Sequence, residues 1–178
     1  MVSLSILIPT KNEEIDLQGC LDSVSWCNDI VVYDSYSTDA TLAIAEQAGV
    51  RVVRRPGQDQ HVAFGGDEAH HRTWGIREID FKNPWLLVLD ADERLSFDAA
   101  SEMMNVIHEN GLRARQGDCL EPVAYQIRRR DFLFGRHLKH VQATPYYVRL
   151  FRPEYVHYER LINPVTVVNG PIEKLDVW

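Results

Sequence analysis

The 178-residue chain contains no G-x-G-x-x-G and no G-x-x-x-x-G-K-[ST] segment. That absence sets aside dinucleotide oxidoreductases and P-loop enzymes. No apolar run approaches the ~20 residues needed to cross a bilayer. The first residues, MVSLSILIPTKNEE, have neither a basic start nor a small-residue cleavage site, so they do not read as a signal peptide. Cysteine is scarce: Cys20, Cys27 and Cys119 are odd in number and lack metal-ligand spacing. They are expected as reduced thiols of a cytosolic protein. Repeats, low-complexity tracts and a clear linker are all missing, so a single domain over residues 1–178 is expected.

What is present alternates. Val2 to Pro9 reads as a strand stopped by Pro9, followed by a helix carrying Leu17, Leu21 and Val24 and capped by Thr10 or Asn12. Asp29 to Asp34 is a second strand. Ser37-Thr38-Asp39 then offers a cap to a helix that buries Leu42, Ala45 and Ala48 and ends at Gly49. Val50 to Arg54 is a third strand, residues 55–65 a loop, and a helix follows through Trp74 and Ile76. Trp85 to Asp90 is a fourth strand, and Met103, Val106 and Ile107 mark one more helical face. Strand–helix alternation over the first 110 residues predicts a parallel sheet with helices on both faces. The rest differs, with strands expected at Val123–Arg130, Pro145–Phe151 and Thr166–Val168.

The chemistry gathers at strand ends. WLLVLDADER, Trp85–Arg94, runs four apolar residues into Asp90-Ala91-Asp92. Ligands of open α/β sheets bind beyond the carboxyl ends of strands. Two carboxylates there can hold a divalent cation that also grips phosphate oxygens. The plainer alternative is a turn plus the cap of the next helix. The first strand ends in Pro9-Thr10-Lys11-Asn12-Glu13 and the second in Asp34-Ser35-Tyr36-Ser37-Thr38-Asp39. Three polar ends on one edge define a cleft for a base, a ribose and a metal–diphosphate.

IPTKNEE, VVYDSYSTDAT and LVLDADERLS, in that order, resemble glycosyltransferase family 2, the inverting GT-A-fold enzymes. The likeness is nearest to the bacterial branch working on lipopolysaccharide core and other envelope glycans. RRRDFLFGRHLKH, YYVRLFRP and HYERLINPVTVVNG extend the resemblance to nearly the whole chain. It implies an α/β, GT-A-like Rossmann-type sandwich: a mostly parallel central sheet flanked by helices, with a smaller mixed second half. Residues 1–110 would bind the nucleotide sugar and 111–178 the acceptor. The donor would be a sugar nucleotide, most often a uridine diphosphate (UDP) sugar. Pro9, Thr10 and Glu13 would surround the nucleoside, Asp34 would accept from the uracil ring nitrogen, and Asp90 would sit near the ribose and the metal. Asp92 would bind Mg²⁺ or Mn²⁺ bridging the diphosphate. Glu159 stands in the place of the base that deprotonates the acceptor, with Asp131 as runner-up.

The sequence departs from the family in two places. Relatives carry a Gln-Asn or Lys-Asn type pair before the fourth strand, where this chain has His70-His71-Arg72-Thr73-Trp74. Arg72 could reach the diphosphate. His70 and His71 point about 100° apart on a helix, so a surface or packing role is expected rather than joint metal ligation. Relatives also continue past the region of Asn169–Trp178, so a C-terminal metal contact and a membrane-docking element are expected to be missing. The alternatives are a catalytically impaired nucleotide-sugar-binding partner protein and a haloacid-dehalogenase-like phosphatase; in the latter, Asp-x-Asp lies on the first core strand and not the fourth.

Net charge is −7, but residues 126–152 carry seven Lys or Arg (Arg128, Arg129, Arg130, Arg136, Lys139, Arg149 and Arg152) against one acid, Asp131. That segment is +6 and the remainder −13. It suggests contact with phosphates or an anionic membrane surface. The expected partners are therefore a nucleotide-sugar donor, a glycan or lipid-linked acceptor and an anionic membrane, and no nucleic acid. The expected place is the cytoplasm, peripheral at the inner face of the plasma membrane.

Overall fold

The computed structural model describes residues 3–116, 121–138 and 146–177. Cys119, Lys139, His140 and Trp178 lie outside the described residues. The elements run β1 (Leu4–Thr10), α1 (Leu17–Val24), β2 (Ile30–Asp34), α2 (Thr41–Gln47), β3 (Arg51–Val53), α3 (Glu68–Glu78), β4 (Trp85–Val88) and α4 (Phe97–Gln116). The second half adds β5 (Ala124–Arg128), β6 (Asp131–Leu133), β7 (Arg136–Leu138), β8 (Tyr146–Phe151), β9 (Val156–Glu159), β10 (Val165–Val168) and β11 (Ile172–Leu175).

Seven strands form one sheet in the order β11-β5-β8-β4-β1-β2-β3. Neighbours β1/β2, β1/β4, β2/β3 and β5/β11 are parallel, and β8 runs antiparallel to β4 and β5. The sheet is thus mostly parallel and continues through both halves of the chain. Hairpins β6–β7 and β9–β10 stand as separate two-stranded pairs.

Every residue of β1 is buried, as expected of a central strand covered on both sides. Leu4, Ile6 and Ile8 meet Leu17, Leu21 and Val24 of α1 and Met103 and Ile107 of α4 on one face. Leu7 joins Tyr33 of β2, Ile76 of α3 and Phe151 of β8 on the other. This is the period-two alternation of a strand feeding two layers.

Pro9 does not stop β1; the strand continues to Thr10. The amide of Ile6 donates to Asp29 on the β2 side, so by alternation residue 9 faces β4. Pairing with β4 ends at Leu7 and Val88, leaving no ladder bond for proline to break. The start of α1 also differs from expectation. The residue flanking α1, Asp16, gives it no side-chain cap, and Asn12 serves the loop after β2 instead. Asp39 does meet the start of α2, accepting from Thr41 N at 3.0 Å with one oxygen and from Glu14 N at 3.1 Å with the other. Gly49, at φ +69°, closes α2 as expected, while Ala48 is exposed. The thiols of Cys20 and Cys27 are free and buried, and burial pushes Cys20 up to about 12.

Helix α3 lies against β2 because Gly75 allows it: a Cβ there would come 2.7 Å from the Tyr33 ring. On α4, a Cβ at Gly111 would meet nothing within 4 Å. Gly75→Ala is therefore expected to destabilise the fold by about 1–3 kcal/mol, and Gly111→Ala to stabilise it by roughly 0.5–1 kcal/mol. Urea melts of both variants check the contrast; equal shifts in the same direction would contradict this packing.

Candidate active site

Parallel pairing in register brings Thr10, Asp34 and the residues after β4 to one edge of the sheet. The loops after β1 and β2 are laced together there. Lys11 Nζ donates to the carbonyls of Ser35 (2.9 Å) and Tyr36 (2.8 Å), and the Asn12 amide nitrogen to Ser37 Oγ (2.9 Å). Thr38 N donates to Asn12 Oδ1 at 2.8 Å, and Glu13 N to Thr41 Oγ1 at 2.8 Å. Asn12 and Tyr36 adopt left-handed backbone, φ 58° and 57°. Such conformations persist only where surrounding contacts hold them.

Asp34 lies at the centre of this lacing and is fully buried. Its carboxylate accepts from Thr10 Oγ1 (3.2 Å), Ser37 N (3.1 Å) and Arg54 Nε (2.9 Å). Arg54 is also stacked on Tyr36, 5.0 Å from the ring centre. Of these partners Arg54 is the one that reaches solvent, with its side chain 36% exposed. Pro9 and Thr10 are buried beside it, and Glu13 is half-buried.

His71 is a packing residue, as expected. Its ring stacks on Tyr33 at 4.1 Å, and its Nδ1 lies 3.0 Å from Gln58 Oε1. Gln58 Nε2 in turn donates to Ser35 Oγ at 2.5 Å. Burial, reinforced by Arg55 and Arg72, pushes the imidazole down to about 3. The neutral ring therefore donates from Nδ1, while Nε2 has no partner among the described residues.

The Asp90-Ala91-Asp92 motif divides its two acids. Glu93 N donates to the Asp90 carbonyl at 2.9 Å, and Asp90 N donates to Glu93 Oε2 at 3.0 Å, closing a tight turn. The cap of α4 is Ser96, whose Oγ accepts from Ala99 N at 3.1 Å. The turn expected in the plainer reading is thus present, but neither Asp caps the helix. Arg72 from α3 holds Asp90 Oδ1 at 3.3 Å, and Arg149 from β8 holds Oδ2 at 2.8 Å. Arg149 also reaches Glu93 Oε1 at 2.8 Å. The Tyr158 ring stands 6.0 Å from Arg72. Burial would raise Asp90, but Arg149 and Arg72 outweigh it and hold the carboxyl below the usual range. Glu93 is raised, by burial first and by Asp90 among its acidic neighbours, against the pull of Arg149.

Asp92 is exposed, and among the described residues it has no hydrogen bond or ion pair. Glu13 is raised by burial, then by the charges of Asp92, Asp16, Asp39 and Asp90. Asp92 also lines an open cavity of about 810 Å³ with an apolar floor that includes Leu87, Leu89, Met103 and Ile127. Arginines 94, 128, 129, 130 and 149 and the carboxylate of Asp131 line the same cavity.

The structure does not bring Glu159 into that cavity. It is exposed on β9, 3.1 Å from His157 Nε2, and borders a shallow hollow with Asp67, His70 and Thr73. Tyr158, the residue before it, points to the opposite face, towards Arg72. Asp131 is ion-paired with Arg129 at 2.9 Å. Sequence reasoning missed Glu93, Arg54, Gln58 and Tyr158 at the site, and counted Arg149 only as part of a basic stretch. A lone arginine in the apolar strand YYVRLF was the available signal.

His71 gives the site a pH dependence. Its folded value lies below the ordinary 6.5, so the unfolded chain binds the proton first and acid favours unfolding. Stability attributable to the neutral ring is complete above pH 6.5 and falls as pH drops towards 3. Between pH 7 and pH 5 the wild type is expected to lose roughly 1–2 kcal/mol more than His71→Gln. Urea melts at the two pH values measure this, and parallel losses would contradict it.

Residues 5–121, about two thirds of the chain, match the family model described as Glycosyl transferase family 2. A Rickettsia typhi protein named as an uncharacterized glycosyltransferase is 26% identical over 168 residues, 93% of this chain and 52% of that protein. The lipopolysaccharide core biosynthesis glycosyltransferase LpsC of Rhizobium meliloti is 31% identical over 137 residues, covering 74% of this chain and 44% of LpsC. A Rickettsia felis glycosyltransferase, also named as uncharacterized, is 34% identical over 104 residues, 58% of this chain and 33% of its own length. The chain thus spans between about a third and about half of these curated relatives. Residues 1–349 of S. aureus TarS share the fold at a TM-score of 0.62 and 15% identity, over 95% of this chain and 58% of that one. On the family match and the strand-end motifs together, the chain belongs to glycosyltransferase family 2.

Proposed function

We propose that this chain carries the donor site and chemical centre of a metal-dependent, inverting glycosyltransferase. It moves a sugar from a UDP-sugar to a glycan or lipid-linked acceptor in cell-envelope polysaccharide synthesis. The observation that carries the reading is Asp92: an exposed carboxylate without a partner among the described residues, at the carboxyl edge of the sheet, in an arginine-lined cavity. The printed name of LpsC supports the envelope-glycan setting.

The residues fit Mg²⁺ or Mn²⁺. Such hard cations take one or two protein carboxylates and complete their shell with phosphate oxygens and water. Asp92 supplies the first, and Asp90 stands beside it with both oxygens engaged by arginines. When bound, the cation neutralises the charge developing on the leaving diphosphate. Arg72 and Arg149 keep planar, phosphate-matching donors at the same edge. Pro9, Thr10, Glu13 and Asp34 form the nucleoside side, with Asp34 meeting the base ring once Arg54 turns aside.

In the transfer, the acceptor oxygen bonds to the anomeric carbon while the bond from that carbon to the diphosphate oxygen breaks. A carboxylate takes the hydroxyl proton. Chain order assigns that role to Glu159, which is exposed to an approaching acceptor. Asp131 is the second reading, favoured by its sharing Asp92's cavity. The arginine-rich second half faces the acceptor and an anionic membrane at the inner face of the plasma membrane. Among the described residues, no helix is long and apolar enough to cross a membrane.

The test is UDP release from UDP-sugars with and without Mn²⁺. Metal-dependent release with acceptor supports the reading. Tight donor binding with no turnover from any donor supports the impaired-partner alternative. Glu159→Gln is expected to lower turnover about 10²–10⁴-fold with donor affinity nearly unchanged, and Asp131→Asn to weaken acceptor binding more than turnover. The reverse ranking would move the base to Asp131.

A further inference from the structure

We infer that the β6–β7 hairpin is a wedge that inserts into an anionic lipid surface. This deepens the membrane contact proposed above. It rests on that reading for the acceptor and on the hairpin's own residues for the contact with lipid.

The hairpin stands outside the seven-stranded sheet and ends in Phe132-Leu133-Phe134, which are 61%, 54% and 96% exposed. Three consecutive apolar side chains in water at one tip are unfavourable for the isolated molecule. The turn is unfavourable too. Phe134 and Gly135 both have positive φ, 48° and 74°, the arrangement of a type I′ hairpin turn. Asn-Gly is the sequence that turn favours, and a bulky residue at positive φ is strained. Phe134 therefore serves neither the turn nor the core.

The base of the hairpin supplies the second signal. Residues 128–138 carry Arg128, Arg129, Arg130 and Arg136 against the single acid Asp131. Arg129 lies 5.0 Å from the Tyr147 ring and is paired with Asp131. Apolar residues at a convex tip with cations behind them match a bilayer interface, where rings enter the acyl boundary and arginines meet anionic headgroups. Strands of three residues reach about 10 Å, which is the depth of an interfacial element and far less than a span. Phe132 and Asp131 also line the cavity that holds Asp92. Docking the tip would bring the mouth of that cavity to the lipid surface, where a lipid-linked acceptor resides.

Phe134→Asn separates this role from folding, because it gives the turn its preferred Asn-Gly sequence. The full chain and this variant are sedimented with phosphatidylcholine vesicles, alone and mixed with phosphatidylglycerol. The wild type is expected to partition onto the anionic vesicles and only weakly onto the neutral ones, with binding reduced by salt. Phe134→Asn is expected to bind the anionic vesicles roughly tenfold less, with a melting temperature equal to or above wild type. Equal binding by both proteins would overturn the wedge, as would no wild-type binding to either vesicle. A wild-type dimer that Phe134→Asn converts to monomer would also overturn it, since a second copy would then cover the tip. Vesicle binding needs no donor, so wild-type binding without any UDP-sugar affinity would refute the glycosyltransferase reading and leave the wedge standing.

Discussion

The site depends on one carboxylate held between two arginines. Arg72 comes from the helix before β4, Arg149 from a strand of the second half, and Asp90 from the turn between them. The side chains of both arginines are only 17% exposed. A buried cation without its partner is costly, so each of the three residues fixes the others. Glu93 adds to the lock by binding Arg149 with one oxygen and the Asp90 amide with the other. The result is a turn whose position is set before any substrate arrives. Asp92 projects from that turn into the cavity.

The edge around Asp34 is organised on the same principle with different groups. Two loops donate backbone amides and side chains to each other across the ends of β1 and β2, and Asp34 collects the buried bonds. Gln58 and His71 extend the network behind Ser35. Apart from His71 Nε2, the polar groups of this network are paired, and paired buried networks are rigid. The two halves of the site thus meet as preformed surfaces. Arg54, over a third exposed, is the member of the Asp34 set with freedom to move.

The alternation of strands and helices was legible because β1, β2 and β4 are short apolar runs and α1 buries Leu17, Leu21 and Val24 on one face; α3 shows no such stripe, its buried residues being Ala69, His71, Gly75 and Ile76. The strand-end acids were legible for the same reason: a buried strand must end somewhere, and polar residues mark the place. Sequence did not reveal the ion-pair partners. Arg149 is about sixty residues from Asp90, and only the antiparallel pairing of β8 with β4 brings them together. Hairpin β6–β7 and strand β11 were missed as well, since three- and four-residue strands bearing charges carry little apolar periodicity. Pro9 was misread as a strand end because the rule that proline breaks ladders holds only where a ladder partner exists.

In the proposed enzyme the two acids of one motif do different work: Asp90 holds the architecture and Asp92 presents a carboxylate to the cation. Paramagnetic titration of Mn²⁺ in the presence of UDP tests this directly on Asp90→Asn and Asp92→Asn, alongside their melting temperatures. Asp92→Asn is expected to melt like wild type but lose UDP-dependent Mn²⁺ binding, whereas Asp90→Asn is expected to melt earlier and retain it. Retained Mn²⁺ binding in Asp92→Asn, or its loss in an Asp90→Asn protein of undiminished stability, would contradict this division of roles.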